Sequence, residues 1–182
     1  MVEHRNIVRL VKNAGYIPLK SDVKMAQTGA VSFDASTFEV FGALLNGGTL
    51  YPVPKETLLD GKRFRVFLEE TGITTMWLTS PLFNQLAQQD PGMFATLNDL
   101  IIGGDALVPG IVNRVKRESP ELSLWNGYGP TENTTFSTCF LIDQAYERTI
   151  PIGKPIGNST AYIVDEHGAL QPIGVPGELC VG

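Results

Sequence analysis

Cysteine, histidine and long apolar runs are what this 182-residue chain has least of, and each scarcity removes a class of protein. Two cysteines, Cys139 and Cys180, cannot build a disulfide framework. The only imidazoles are His4 and His167, and no Cys or His spacing matches a zinc site. No stretch approaches the roughly 20 apolar residues of a membrane span, and the opening residues lack the apolar core of a signal peptide. Positive charge is also short: 14 Lys and Arg against 19 Asp and Glu leave −5, the wrong sign for a nucleic-acid surface. What remains, 43% hydrophobic and 18% charged, is enough for one substantial core. The expectation is a reduced, cytoplasmic protein with no nucleic-acid or membrane partner.

Periodicity predicts alternating helices and strands. Ile7, Leu10, Val11 and Ala14 recur at helical spacing, giving a helix over about 4 to 14 that Gly15 stops. Ser36-Thr-Phe-Glu39 reads as a capping box opening a helix that runs to about Leu45, ended by Gly47-Gly48. Strands are expected at Thr49 to Val53, Ile73 to Leu78, Leu100 to Ile102 and Leu122 to Trp125. Helices are expected over about 61 to 71 and 80 to 89, and from Pro109, whose missing N–H costs nothing at a first helical position. This order predicts an α/β fold with a mostly parallel sheet and flanking helices over about residues 1 to 140. After about Phe140, Pro and Gly punctuate short β-like runs such as Ala161 to Val164 and Glu178 to Val181, with a hairpin turn at Asp165-Glu-His-Gly168. Residues about 141 to 182 therefore read as a β-rich section.

The residues best suited to bind a ligand are Asn126-Gly-Tyr-Gly-Pro-Thr-Glu-Asn-Thr-Thr135, with two glycines, one carboxylate and four hydroxyls in ten positions. They follow a short apolar run, so the loop leaves the sheet at a strand's carboxyl end, where open α/β sheets place their ligands. Glycines let backbone approach a base or phosphate, hydroxyls bind phosphate oxygens, and Glu132 is a hard oxygen ligand for Mg²⁺. Thr79-Ser-Pro81 and Gly103-Gly-Asp105 follow two other predicted strands, so the three tracts converge on one cleft. Taken singly, Gly-Pro-Thr-Glu could be an ordinary polar loop and Gly-Gly-Asp a helix-entry turn.

Tyr128-Gly-Pro-Thr-Glu132, with Phe33-Asp-Ala-Ser36 before it and Gly177-Glu-Leu-Cys-Val-Gly182 after it, resembles three ordered core motifs of nonribosomal peptide synthetase adenylation domains. These belong to the adenylate-forming, AMP-binding superfamily, which also holds acyl-CoA ligases and luciferases. The resemblance covers essentially the whole chain and implies the central part of the N-terminal core, with the β-rich section contributing to a distorted barrel. Its opening residues resemble the family segment just after the phosphate loop, and its end falls at the sixth of ten motifs. An internal piece is therefore expected, inactive on its own for want of the phosphate loop, a ribose-binding aspartate and a C-terminal lysine.

By resemblance, Gly104, Asn126 and Tyr128 form the adenine pocket, Thr131 binds phosphate, and Glu132 holds Mg²⁺, so Thr131 and Glu132 are the expected catalytic pair. Asp34 holds the substrate's α-amino group, beside Phe33. The side-chain pocket is expected from Ala35, Phe38, Trp77, Ile101, Gly103, Gly127, Thr135 and Phe136, a set resembling that of valine-activating domains; Trp77 rests on a turn that departs from the family's proline-rich version. ATP and Mg²⁺ are the implied cofactors, L-valine the substrate, and condensation and phosphopantetheine-bearing carrier domains the partners. An acyl- or aryl-CoA ligase is the alternative within the superfamily, and a non-catalytic nucleotide-binding or interaction piece the alternative outside it. A desolvated Asp34 carboxylate favours an ammonium-bearing substrate, because an acid without an amine leaves that charge unmatched. Locally, Asp34 could instead simply cap the following helix.

Overall fold

The computed structural model describes residues 2–182. After α1 (His4–Val11), the chain runs through β1 (Lys24–Gln27), α2 (Ala35–Leu44), β2 (Thr49–Pro52) and the single turn α3 (Lys55–Leu58). There follow α4 (Gly61–Thr71), β3 (Thr75–Thr79), α5 (Ser80–Gln89), β4 (Asp99–Gly103), α6 (Pro109–Glu118) and β5 (Ser123–Tyr128). The remaining strands are β6 (Thr138–Leu141), β7 (Lys154–Pro155), β8 (Ala161–Val164) and β9 (Glu178–Val181).

Seven strands form one sheet in the order β2-β1-β3-β4-β5-β6-β7. The first five are parallel; β6 pairs antiparallel with β5, and β7 pairs antiparallel with β6. Helices cover both faces, so β4 is buried at every residue, the near-continuous apolar run of a central parallel strand. On one face Leu100, Ile102 and Leu124 pack with Phe64 and Leu68 of α4, Phe83 of α5 and Val112 of α6. On the other, Ile101 packs with Leu10 of α1, Phe38 of α2 and Phe136. Alternation along a strand thus assigns neighbouring residues to two different cores.

Local signals set most helix ends. The Asp60 carboxylate accepts from the amides of Lys62 and Arg63, and Gly72 closes the same helix at φ 63°, so α4 occupies the expected span. Pro109 stands in the first turn of α6 as expected. The expected helix at 4 to 14 is shorter, ending at Val11 with Lys12 already extended.

The capping box at Ser36 is not formed. The helix starts two residues earlier, with Asp34 at the N-cap, and the Ser36 hydroxyl donates back to the Phe33 carbonyl at 2.7 Å. Glu39 turns to the β1 exit, where its carboxylate accepts from the Thr28 amide at 2.8 Å and from the Gly29 amide at 3.2 Å. Two further expectations need extension: β1 lies where no strand is expected, and β6 and β7 join the large sheet. Only β8 and β9 form a separate antiparallel pair. The Asp165 turn closes through the Asp165 amide and the Ala169 carbonyl, bringing Leu170 beside Val164.

Glu39 is fully buried, and burial pushes its carboxyl above the usual range against the opposing pull of the Thr28 and Gly29 amides. The folded protein therefore binds this proton more tightly than the unfolded chain. The associated stability is fully present below the ordinary carboxylate pKa and is lost as pH rises through the folded value. Glu39→Gln removes that loss: as pH rises above the ordinary carboxylate pKa, the variant gains melting temperature relative to the parent. Parallel pH profiles for the two proteins would contradict it.

Candidate active site

Three parallel strands deliver their carboxyl ends side by side, because Thr79 pairs with Gly103 and Gly103 with Gly127 in register. Above these ends lies a cavity of about 500 Å³. Nine of the expected residues line it. Asp34 and Ala35 come from the start of α2, Trp77 from β3, Gly104 from the β4 exit, Asn126, Gly127 and Tyr128 from β5, and Thr135 and Phe136 from the following loop.

Asp34 occupies the N-cap of α2 without making a side-chain capping hydrogen bond. Its carboxylate has no hydrogen bond or ion pair among the described residues, and it faces the cavity instead. Capping therefore does not explain it. Its carbonyl is engaged: the Thr135 hydroxyl donates to it at 2.9 Å across 101 residues of chain. That bond ties the Asp34 turn to the loop after β5.

The apolar wall is built in two layers. Phe136 lines the cavity and is held edge-on by Phe38, 5.3 Å between ring centroids, and by Tyr16 at 6.2 Å. Phe38 and Ile101 are wholly buried behind this wall and do not line the cavity. Gly103 and Gly127, both expected in the side-chain pocket, serve the packing of the protein itself. A Cβ on Gly103 would collide with the Gly127 carbonyl, so Gly103 permits the close approach of β4 and β5. The space a Cβ would take on Gly127 is already filled by Phe136 and Ile101, at 2.8 and 2.9 Å. Trp77 contributes its ring, and its Nε1 is buried without a partner. Phe33, 67% exposed, lies outside the cavity.

Gly104, Asn126 and Tyr128, the residues expected around adenine, also line the cavity. Gly104 has φ 80°, a backbone conformation that favours glycine. Asn126 is buried, and its Nδ2 donates to the Pro151 carbonyl at 2.9 Å; no protein donor reaches its Oδ1 among the described residues, so that atom remains an acceptor. Tyr128, 38% exposed, offers a ring face large enough to stack on a base. Thr131 and Glu132 stand outside the cavity, exposed on a 3-10 turn over Thr131–Asn133. Glu132 makes no ion pair, and no group of three or more metal-ligating side chains occurs among the described residues. A lone exposed carboxylate fits Mg²⁺, which uses one or two carboxylates together with substrate phosphates.

Residues 148 to 152 were not anticipated. Arg148, Thr149, Ile150 and Ile152 complete the wall, as do Asp105, Ala106, Leu107 and Gly129. Asp105 and Gly129 belong to tracts visible in the sequence, whereas the 148 to 152 segment is delivered by the reversal between β6 and β7 and clamped by Asn126. No local signal in the sequence marks it.

Comparison with known proteins bears on what this cleft does. The profile of the AMP-binding enzyme family matches residues 1–182. Surfactin synthase subunit 2 of Bacillus subtilis (strain 168) is 75% identical over 182 residues, covering 100% of this chain and 5% of that protein. Gramicidin S synthase 2 of Brevibacillus brevis is 64% identical over 182 residues, covering 100% of this chain and 4% of that protein. The chain thus spans about a twentieth of the length of these relatives. Among solved structures, holo-PA1221, an NRPS protein containing adenylation and PCP domains bound to a vinylsulfonamide inhibitor, superposes with a TM-score of 0.91 at 38% identity, over 98% of this chain and 31% of that one. The N-terminal subdomain of Klebsiella oxytoca NpsA, in complex with 3-hydroxybenzoyl-AMSN, shares the fold at TM-score 0.88 and 24% identity, over 98% of this chain and 46% of that one.

Because Gly127 is enclosed by Phe136 and Ile101, Gly127→Ala overpacks the wall. The expected cost is about 1 to 3 kcal/mol of stability, read by denaturant unfolding. An unchanged unfolding midpoint would show that the wall has room to give.

Proposed function

Because this chain belongs to the AMP-binding enzyme family, as part of a nonribosomal peptide synthetase adenylation domain, we propose that the complete domain activates L-valine as aminoacyl-AMP. The observation that carries the reading is an unpaired Asp34 carboxylate at one end of a cavity whose neighbouring wall is apolar. A substrate ammonium group matches the carboxylate, and a medium branched aliphatic side chain suits a wall of Ala35, Trp77 and Phe136. An acyl- or aryl-CoA ligase substrate lacks the amine that Asp34 requires.

The remaining assignments follow the chemistry of each group. Gly104 and Tyr128 enclose adenine, and the free Oδ1 of Asn126 accepts from its exocyclic amine. The Thr131 hydroxyl binds a phosphate oxygen, and Glu132 supplies a carboxylate to Mg²⁺. When bound, Mg²⁺ neutralises charge on the phosphates. An oxygen of the amino-acid carboxylate attacks the α-phosphorus, the bond from that phosphorus to the bridging oxygen breaks, and pyrophosphate departs with the electron pair. The protein's part is orientation and charge matching. The phosphopantetheine thiol of a neighbouring carrier domain, beside a condensation domain in the cytoplasm, then attacks the carbonyl carbon of the adenylate; the C–O bond to AMP breaks, AMP leaves with the electron pair, and the aminoacyl group remains on sulfur as a thioester.

An amino-acid-dependent pyrophosphate exchange profile tests substrate choice in the complete domain. Valine is preferred, with side activity for isoleucine, since one methylene separates the two by only about 1 to 3 kcal/mol. Asp34→Ala weakens every amino acid together, by about 1.5 to 3 kcal/mol, and Trp77→Ala shifts preference to leucine or phenylalanine. Preference for an acidic, basic or aromatic residue in the parent domain refutes the valine reading, and a selective loss in Asp34→Ala refutes the anchor.

Glu132→Gln tests the metal assignment separately. Exchange falls by orders of magnitude while the melting temperature stays within a few degrees; full activity in this variant assigns Mg²⁺ elsewhere.

A further inference from the structure

Arg9, on the last turn of α1, extends away from its own helix to a loop more than a hundred residues later in the chain. One terminal nitrogen donates to the Asn133 carbonyl at 2.6 Å and to the Thr134 carbonyl at 3.0 Å; the other donates to the Ser159 hydroxyl. No carboxylate pairs with it among the described residues. Burial disfavours its charge, and three neutral oxygens take the place of a counter-ion.

The segment it grips is strained. Thr134 and Thr135 take φ 56° and 65° in succession, left-handed values that are costly for β-branched residues. Thr134 is buried, and its hydroxyl has no partner. Such a conformation persists only where its surroundings impose it. Here the ties are external: Arg9 holds the Asn133 and Thr134 carbonyls from one side, while the Thr135 hydroxyl holds the Asp34 carbonyl from the other. Thr131 and Glu132 lie on the 3-10 turn immediately before this kink.

We infer that Arg9 is a positioning residue for the nucleotide half of the reaction, holding the Thr134 and Thr135 kink so that Thr131 and Glu132 are aimed at the phosphates and Mg²⁺. It touches neither substrate, and it acts through the loop backbone alone. The inference rests on the roles proposed above for Thr131 and Glu132. The amino-acid end keeps supports that do not pass through Arg9: Asp34 stands at the start of α2, and Phe136 is held by Phe38 and Tyr16.

The test uses the complete adenylation domain, with Arg9→Met, Arg9→Lys and a Glu132→Gln control. In pyrophosphate exchange, Arg9→Met raises KM for MgATP or lowers kcat at least tenfold and shifts the Mg²⁺ dependence to higher concentration, while KM for valine changes less than twofold. Arg9→Lys recovers part of the loss, since one ammonium group can still donate to a carbonyl. Amide exchange accelerates at residues 131–137 and not in β3 or β4. The inference is overturned if kinetic constants for both substrates stay within twofold in Arg9→Met, or shift together, or if only the melting temperature falls. If Arg9→Met does not fold, Arg9→Lys decides by the same split between substrates. Full activity in Glu132→Gln, or no valine-dependent exchange in the parent domain, overturns the underlying roles as well, and the control arms distinguish that failure from one at Arg9.

Discussion

Between β4 and β5 there is no room for a side chain at Gly103, whose missing Cβ lets the Gly127 carbonyl come close. Around this contact the site is assembled. It keeps the carboxyl ends of β4 and β5 level, so Gly104 and Tyr128 leave the sheet at the same height and face one cavity. Gly127 repeats the device one layer in, with the aromatic edge of Phe136 and the Ile101 side chain filling the volume it gives up. Two glycines that a sequence reading assigns to ligand room are used by the protein itself. The chemistry depends on backbone packing before it depends on any polar group.

Polar groups below the cavity extend that rigidity. Glu39 fixes the Thr28 and Gly29 turn, and the Thr28 hydroxyl donates to the Trp77 carbonyl at 2.8 Å, so α2, the β1 exit and β3 share one small network. Asp34 stands at the head of that same helix with its carboxylate unspent. A buried carboxylate that orders backbone and a neighbouring one kept free for a ligand illustrate two uses of the same group, separated by five positions along a helix.

Much of this architecture is written locally. Asp60 and Gly72 delimit α4, Pro109 opens α6, and the apolar runs of β3, β4 and β5 declare buried strands. The cleft at the carboxyl ends follows from parallel order alone. What escapes a reading of residues is set by distant partners. Lys24 to Gln27 is too short to show a period, and becomes a strand because β2 and β3 flank it. Ser36 and Glu39 have capping-box spacing, but the backbone amides at the β1 exit, outside the helix, compete for the glutamate. The left-handed Thr134 and Thr135, and the 148 to 152 wall, have no signature of their own.

The bond from Thr135 to the Asp34 carbonyl has a further consequence for how such domains diversify. Pocket walls drawn from residues 34 to 136 are tied together by this bond, although four strands and five α-helices intervene. A recombination breakpoint inside that interval joins an Asp34 turn from one parent to a Thr135 loop from another and leaves their fit to chance. Breakpoints flanking it transfer the walls as a matched set. The geometry thus favours inheritance of selectivity in blocks over its assembly one position at a time.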